Sequence, residues 1–368
     1  MDYRISELAE QVTTARANYR PVEIVGGGTK RFYGNPARKL DENAFRLCMG
    51  SLTGVTHHEP SELVLTAWAG TPLAQIEHLL AEHHQMLAFD PPHFSAGATL
   101  GGAVAAGLSG PASFGYGPLR HYVLGTRLLD AQGRVLRFGG EVMKNVAGYD
   151  VSRLLAGSMG MFGALVEVSI KVMPQPSRDE TCALELSEQQ ALDLCRGLRA
   201  NTWPVKAAAW LPDSAIAGYG TLCVRFAGSV AAVTSACQSI GGERLSPQQA
   251  KLWWSAYRDQ THDFFEQRQL WRLAVRAGTP ALNLGRCAFD MAGEVRWLIT
   301  DRGPDELRGA ATQAGGHATL FRHDSAGQLP HDGVFQPMQP AAHAVVRRLK
   351  GEFDPKGIFN AGRLVQDL

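Results

Sequence analysis

Ser95-Ala-Gly-Ala-Thr-Leu-Gly-Gly-Ala-Val-Ala-Ala-Gly-Leu-Ser-Gly110 decides how this chain is read. The pattern predicts a helix opening at Thr99, and Gly101 and Gly102, so early in a helix, cost about 1 kcal/mol each relative to alanine. Such a cost calls for a close approach of the backbone to something. On these residues alone two readings stay open: a ligand, or a neighbouring strand packed tightly against the helix. A diphosphate suits the first, because backbone N–H groups reach it only where no side chain intervenes, and a helix N-terminus adds its dipole.

Upstream, residues 22–25 are a short β-type run that meets Gly26-Gly27-Gly28-Thr29-Lys30. Successive free N–H groups after a strand can form an anion-binding nest. The loop is neither a Walker A sequence nor GxGxxG, and taken alone it reads equally well as a tight structural turn. Downstream, Gly157-Ser-Met-Gly-Met-Phe-Gly163 precedes another strand. Glycine loops at three places in the first half of the chain point to an extended ligand with a diphosphate at its centre. FAD fits that better than a mononucleotide.

Around these loops, strands and helices alternate. Residues 5–17 read as an amphipathic helix with Ile5, Leu8, Val12 and Ala15 on one face. Residues 63–68 read as a strand, with Thr71 as N-cap and Pro72 as first residue of a helix over 72–84. Residues 123–130 and 135–138 predict a hairpin about 131–134. Asp150 caps a helix ending near Gly157, and Val166, Val168, Ile170 and Val172 alternate as a strand that Pro174 stops. Pro174-Gln-Pro176-Ser177 reads as a linker, beyond which helical patterns (188–200, 247–268) separate strands (221–226, 294–299). A basic amphipathic helix covers 341–352. The predicted division is a binding domain at 1–174, a cap or substrate-side domain at 175–340, and a C-terminal helix and tail at 341–368 that return to the first.

Composition narrows the function classes. Apolar residues at 45% and charged ones at 19% suit a soluble globular chain with a sizeable core. Lys+Arg (36) against Asp+Glu (35) leaves +1, which excludes a global electrostatic design for nucleic acid or an anionic membrane. Six cysteines are dispersed, the nearest being Cys182–Cys195 and Cys223–Cys237, 13 and 14 positions apart, and there is no CxxC. Neither an iron–sulfur cluster nor a metal site is expected in this chain. No stretch predicts a transmembrane helix, and the charged start MDYRISELAEQ lacks a signal-peptide pattern, so a cytoplasmic protein is expected.

Several segments together carry a resemblance: 21–28, Pro91-Pro92, Gly97-Ala-Thr-Leu-Gly-Gly102, Leu124-Gly-Thr126, Phe138-Gly-Gly-Glu-Val-Met-Lys-Asn-Val-Ala-Gly-Tyr-Asp150, 157–163 and Asp354-Pro-Lys-Gly-Ile-Phe-Asn-Ala-Gly-Arg363. The chain resembles the vanillyl-alcohol-oxidase (PCMH-type) FAD flavoproteins, and within them the FAD-binding E subunits of bacterial glycolate oxidases, over nearly its whole length. The resemblance implies an α+β fold: two subdomains clasping FAD, then an α+β cap domain with an antiparallel sheet. It implies that Gly26, Gly27, Gly28, Thr29 and Lys30, with Ala98, Thr99, Gly101 and Gly102, cradle the diphosphate. Pro91, Gly97 and Gly110 are further cofactor-binding candidates, Gly157 and Gly163 would lie along the adenosine end or its neighbouring strand, and Asn360 and Arg363 would return the tail towards the flavin domain. Some members tether the flavin through a histidine in the first glycine loop. Here that loop reads Gly28-Thr29-Lys30-Arg31, so the FAD is expected to be noncovalent.

The implied function is that of a subunit in a glycolate (2-hydroxy acid) dehydrogenase complex, oxidising glycolate to glyoxylate. Partners would be a sister FAD-linked subunit and an iron–sulfur subunit, through which the chain would sit peripherally at the inner membrane. Two further readings are a self-sufficient FAD-dependent 2-hydroxy acid oxidoreductase and a non-catalytic flavin-fold scaffold. The His-rich Gly-Asp-Gly-Asn-type segment of the metal-assisted relatives is absent. Its nearest analogue, Gly315-Gly-His317-Ala-Thr-Leu-Phe-Arg322-His323, would put both histidines on one strand face. Arg120, Lys144, Tyr149 and His317 are the candidates for a base or carboxylate clamp, and each could equally close a structural hydrogen bond. The lone chain is therefore expected to oxidise glycolate slowly or not at all. His57-His58 and His83-His84 read as surface positions. Trp253-Trp254, Phe264-Phe265 and Trp271 read as a helical core or a subunit interface, with 247–275 as the expected partner contact.

Overall fold

The computed structural model describes residues 2–36, 44–140, 150–213, 218–267, 269–323 and 329–368. Helix α1 (Tyr3–Ala17) buries Ile5, Leu8, Val12 and Ala15, the face its periodicity marks, and the Asp2 carboxylate caps it by accepting from Arg4 N–H. It packs on a parallel pair, β1 (Val22–Val25) and β2 (Phe45–Cys48). Next come β3 (Val55–Glu59), β4 (Val64–Trp68), α2 (Leu73–Glu82) and β5 (Gln85–Met86), then α3 (Leu100–Ala106) and α4 (Ser113–Tyr116). The hairpin β6 (Val123–Leu129) and β7 (Val135–Gly139) follows, then α5 (Val151–Leu155) and β8 (Ala164–Lys171). Five of these strands form an antiparallel sheet in the order β3-β4-β8-β6-β7. Thr71 does not cap α2. Its hydroxyl bonds the Trp68 carbonyl (2.7 Å) and so closes the strand-to-helix turn, leaving Pro72 at the cap position.

The second half opens with β9 (Met173–Pro174), which pairs with β5. It continues through β10 (Arg178–Ser187), α6 (Glu188–Leu198), β11 (Val205–Pro212), β12 (Tyr219–Gly228), α7 (Val230–Ile240) and β13 (Glu243–Arg244). Then come α8 (Pro247–Arg258), β14 (Leu270–Ala274), β15 (Arg286–Asp290), β16 (Val295–Ile299), α9 (Pro304–Gln313), β17 (His317–Arg322) and α10 (Pro340–Phe353). Eight strands make one antiparallel sheet, β13-β10-β12-β11-β15-β16-β14-β17. Its two faces separate by the period of two: Ala208 and Trp210 join a core with α6 and α7, while Ala207, Ala209 and Leu211 face the other way. That second face packs against Phe32, Tyr33, Phe94 and Leu108 of the first half.

The helical pattern over 247–268 stops at Arg258, and Phe264 and Phe265 turn inward on a short 3-10 segment. Trp254, Phe264, Phe265 and Trp271 are all buried, and Trp254 Nε1 donates to Thr181 Oγ1 (2.9 Å). The aromatic run is cap core. The expectation of a partner surface made of exposed Trp and Phe is corrected accordingly, since apolar bulk at these positions is already removed from water.

The tail docks on the first half. Buried Lys350 donates to the Met161 and Phe359 carbonyls and to Asp354, whose carboxylate accepts from Ile358 and Phe359 N–H. Ile358 and Phe359 then fill the core beneath α1. Among the described residues no helix is long and apolar enough to cross a membrane.

Candidate functional site: a cavity between the glycine loops

A cavity of about 1040 Å³, open to solvent, lies where the loop after β1, helix α3, the turn before β8 and the tail converge. Its wall includes Gly26, Gly27, Gly28, Thr29, Lys30, Thr99, Gly101, Gly102, Gly163 and Asn360, all anticipated from sequence, together with Arg363. Among the described residues, no protein acceptor takes the backbone N–H of Gly27, Gly28, Thr29 or Lys30. Four consecutive free donors on a cavity wall are an anion-binding feature. The cations around them agree: Lys30 is half-buried, donates to Thr29 Oγ1 and lies over the Phe94 ring, and burial pulls its ammonium down to about 8. Arg363 spends its guanidinium on the carbonyls of Lys30, Arg31, Tyr33 and Asn35, which fixes the loop's exit, and Arg31 is paired with Glu23.

Helix α3 contributes differently from its sequence reading. Its first donors are already satisfied: Leu100 N–H by the Thr71 carbonyl, Gly101 N–H by the Ala69 carbonyl and Gly102 N–H by Thr99 Oγ1. The expected dipole-assisted N-terminus is therefore closed by protein. A Cβ on Gly101 would stand 2.6 Å from the Ala69 Cβ, so this glycine serves helix–strand packing, while a Cβ on Gly102 meets only Thr99 Oγ1, at 3.0 Å.

Five anticipated cofactor residues lie off the cavity wall. Gly97 is packed against Gly27: a Cβ on Gly27 would stand 1.5 Å from the Gly97 oxygen, so the two loops need glycine to touch. Ala98 is buried and its carbonyl accepts from Leu73 N–H. Pro91 is buried beside Asp90, and Gly110 packs onto Asp90, whose oxygen a Cβ would meet at 2.3 Å. Gly157 (φ +86°) gives its N–H to the Val104 carbonyl and lets Gly107 pass. These are supports of the wall rather than its surface. The sequence reading missed Tyr33, Met49, Ala69 and Ala105 on the wall, because ordinary residues carry no motif signal.

The anticipated catalytic residues do not converge here. Arg120 is exposed on a 3-10 turn. Lys144 and Tyr149 lie outside the described residues. His317 starts β17 at the rim of the cap sheet, where burial and the nearby Arg272 charge hold its ring below the usual imidazole value. His57, His83 and His84 are exposed, and His58 bonds Gln85.

Comparison with known proteins places this geometry. A family model described as an FAD binding domain matches residues 4–139. The chain is similar in fold to alkyldihydroxyacetonephosphate synthase, with a TM-score of 0.66 at 16% identity, covering 98% of this chain and 76% of that one. A D-lactate dehydrogenase of Archaeoglobus fulgidus is 35% identical over 113 residues, 31% of this chain and 25% of the relative. Glycolate oxidase subunit GlcD of Bacillus subtilis is 33% identical over 124 residues, 33% and 26% of the two chains. Glycolate oxidase subunit GlcE of Escherichia coli K12 is 38% identical over 365 residues, 98% of this chain and 97% of the relative. With that identity along nearly the full length of both, this chain belongs to the GlcE family of glycolate oxidase subunits, an FAD-binding oxidoreductase with the PCMH-type flavoprotein fold.

Proposed function

We propose that this chain is the FAD-carrying subunit of a glycolate (2-hydroxy acid) dehydrogenase complex, oxidising glycolate to glyoxylate and passing electrons to an iron–sulfur partner. The observation that carries this reading is the cavity wall of free N–H groups at Gly27, Gly28, Thr29 and Lys30, in a chain alike to a glycolate oxidase subunit along its length. The residues fit FAD: the donors suit a diphosphate, and Lys30 and Arg363 supply positive charge. Bound FAD would supply two-electron oxidation. The protein's part is to hold the diphosphate on the loop after β1 and to anchor that loop through Arg363 and Asn360. Tyr33, Phe32 and Phe94 stand between the cavity and the cap sheet and keep water from that side.

The loop offers no histidine or cysteine for a covalent link, so acid precipitation should release all the flavin to the supernatant. A sister FAD-linked subunit and an iron–sulfur subunit are the proposed partners, and through them the chain would be peripheral to the inner membrane. The test is the visible spectrum of the purified chain before and after anaerobic glycolate, alone and with those partners. Bleaching supports the reading; flavin bands unchanged by glycolate in both preparations would sink it.

A further inference from the structure

Lys30 stands apart among the ionisable residues of the cavity wall. Among the described residues that wall carries five: Glu23, Lys30, Arg31, Tyr33 and Arg363. Glu23 is taken by Arg31 (2.6 Å) and Arg46 (3.2 Å), and Arg363 spends its guanidinium on backbone carbonyls of the loop. The Lys30 ammonium donates to Thr29 Oγ1 (3.3 Å) and lies 5.5 Å from the Phe94 ring centroid, and it pairs with no described carboxylate.

The charges that face it from the other elements are engaged elsewhere. Asp259, the cap carboxylate that acts on Lys30, pairs with Arg258 (2.7 Å) and accepts from His93 and Phe94 N–H. The His93 ring bonds Glu77 (3.0 Å), and Arg322 lies over Phe32, which packs edge-on against Phe94. Lys30 is thus an amine taken from water, on a wall shared with Arg31 and Arg363, without an anion of its own. Its charged form is costly there, and burial pulls the ammonium down to about 8. The free N–H groups of Gly27, Gly28, Thr29 and Lys30 share that wall. A diphosphate seated on them brings the counter-charge that Lys30 lacks, and an opposite charge close by favours the protonated amine.

We propose that Lys30 takes up a proton as FAD enters the cavity, so that the chain holds its cofactor tightly in neutral solution and loosens it in alkaline solution. This rests on the reading that the cavity binds FAD. One N–H bond forms: the neutral amine of the open cavity accepts a proton from solvent and stays as ammonium against the diphosphate, and no electrons change hands. The FAD-bound chain then carries more protons than the free chain, so affinity falls as pH rises. Below about 8 the ammonium is present in both states and affinity is level; above it, each FAD must draw a proton with it. The rest of the wall stays constant over this range, because a guanidinium remains charged and burial pushes the Tyr33 phenol up.

FAD retained by the loaded chain is measured by ultrafiltration at pH 7, 8 and 9, and proton uptake on reloading by calorimetry in two buffers of different ionisation heat. The parent should lose affinity about tenfold from pH 7 to pH 9 and take up about half a proton or more per FAD at pH 9. Lys30→Arg, whose charge does not titrate, should keep its affinity level within about twofold over that range and take up no proton. Lys30→Met should also be level, yet bind about tenfold or more weakly than the parent at pH 7. Parent affinity that is level from pH 7 to pH 9, or Lys30→Arg losing affinity as steeply as the parent, overturns the proposal while leaving FAD binding standing. A parent chain that retains no FAD at any of the three pH values overturns the reading beneath it instead.

Discussion

Gly102 faces the cavity, and a Cβ there would meet only Thr99 Oγ1, at 3.0 Å, so a substituent projects towards the cofactor once that hydroxyl shifts slightly. Gly102→Asp adds bulk and negative charge where the diphosphate is expected to lie, and the variant should fold but retain no FAD, read as absorbance near 450 nm per protein. Wild-type occupancy would move the diphosphate elsewhere. Gly101 makes the contrast: its Cβ would clash with Ala69, so Gly101→Asp should lose fold along with flavin. Asp290 carries a separate prediction. Burial pushes its carboxyl up from 3.8 to about 6, against the lowering pull of Arg272 and Trp297. A raised carboxyl favours the folded state while protonated and loses that advantage as pH rises from about 4 to about 6, a cost on the order of 3 kcal/mol at pH 7. Asp290→Asn should therefore be more stable than the parent at pH 7 by about that amount, with the gain vanishing below pH 4 in urea titrations. An equal difference at both pH values would show that the ionised carboxylate carries no burden in the fold.

Among the elements, the tail after α10 is held by one residue at a strained position. Asn360 has φ +41°, accepts from Ile24 N–H through Oδ1 (3.0 Å) and donates to the Met159 carbonyl (2.6 Å), tying the tail to β1 and to the loop before β8. Asn360→Ala removes both bonds and places alanine in a left-handed conformation. It should cost about 2–3 kcal/mol of stability and loosen FAD, measured by denaturant titration and flavin release. The sequence made much of this legible, because β1, the hairpin β6–β7 and the face of α1 rest on local periodicity and turn chemistry. The three glycine loops could be seen as backbone approaching something, but not as approaching what: Gly97, Gly110 and Gly157 touch other loops, and only the fold reveals it. Thr71 misled for a related reason, since its hydroxyl had a better acceptor at Trp68 than the helix it was read as capping.

At the scale of the whole molecule, the proposed division at 174 and 340 implies a flavin-binding body built from two separated pieces. Ile358 and Phe359 complete the core beneath α1, the Val22 N–H is taken by the Ile358 carbonyl, and Lys350 bridges Met161 to the tail. A fragment of residues 1–174 alone would expose that core and leave the Val22 and Ile24 donors without acceptors, at roughly 1–3 kcal/mol for each buried group. It should be insoluble or unfolded. The same fragment joined by a flexible linker to residues 341–368 should fold and bind FAD, though more weakly than the full chain. The weakening comes from the cap: Asp259 accepts from His93 and Phe94 N–H, Arg258 pairs with Asp90, and Phe321 packs on Phe32 and Tyr33, so the cap steadies the loop that leaves the cavity. Circular dichroism and flavin fluorescence of the two fragments decide it. A soluble 1–174 that binds FAD as tightly as the joined fragment would mean that the tail only covers the flavin-binding body and that the body is continuous in sequence.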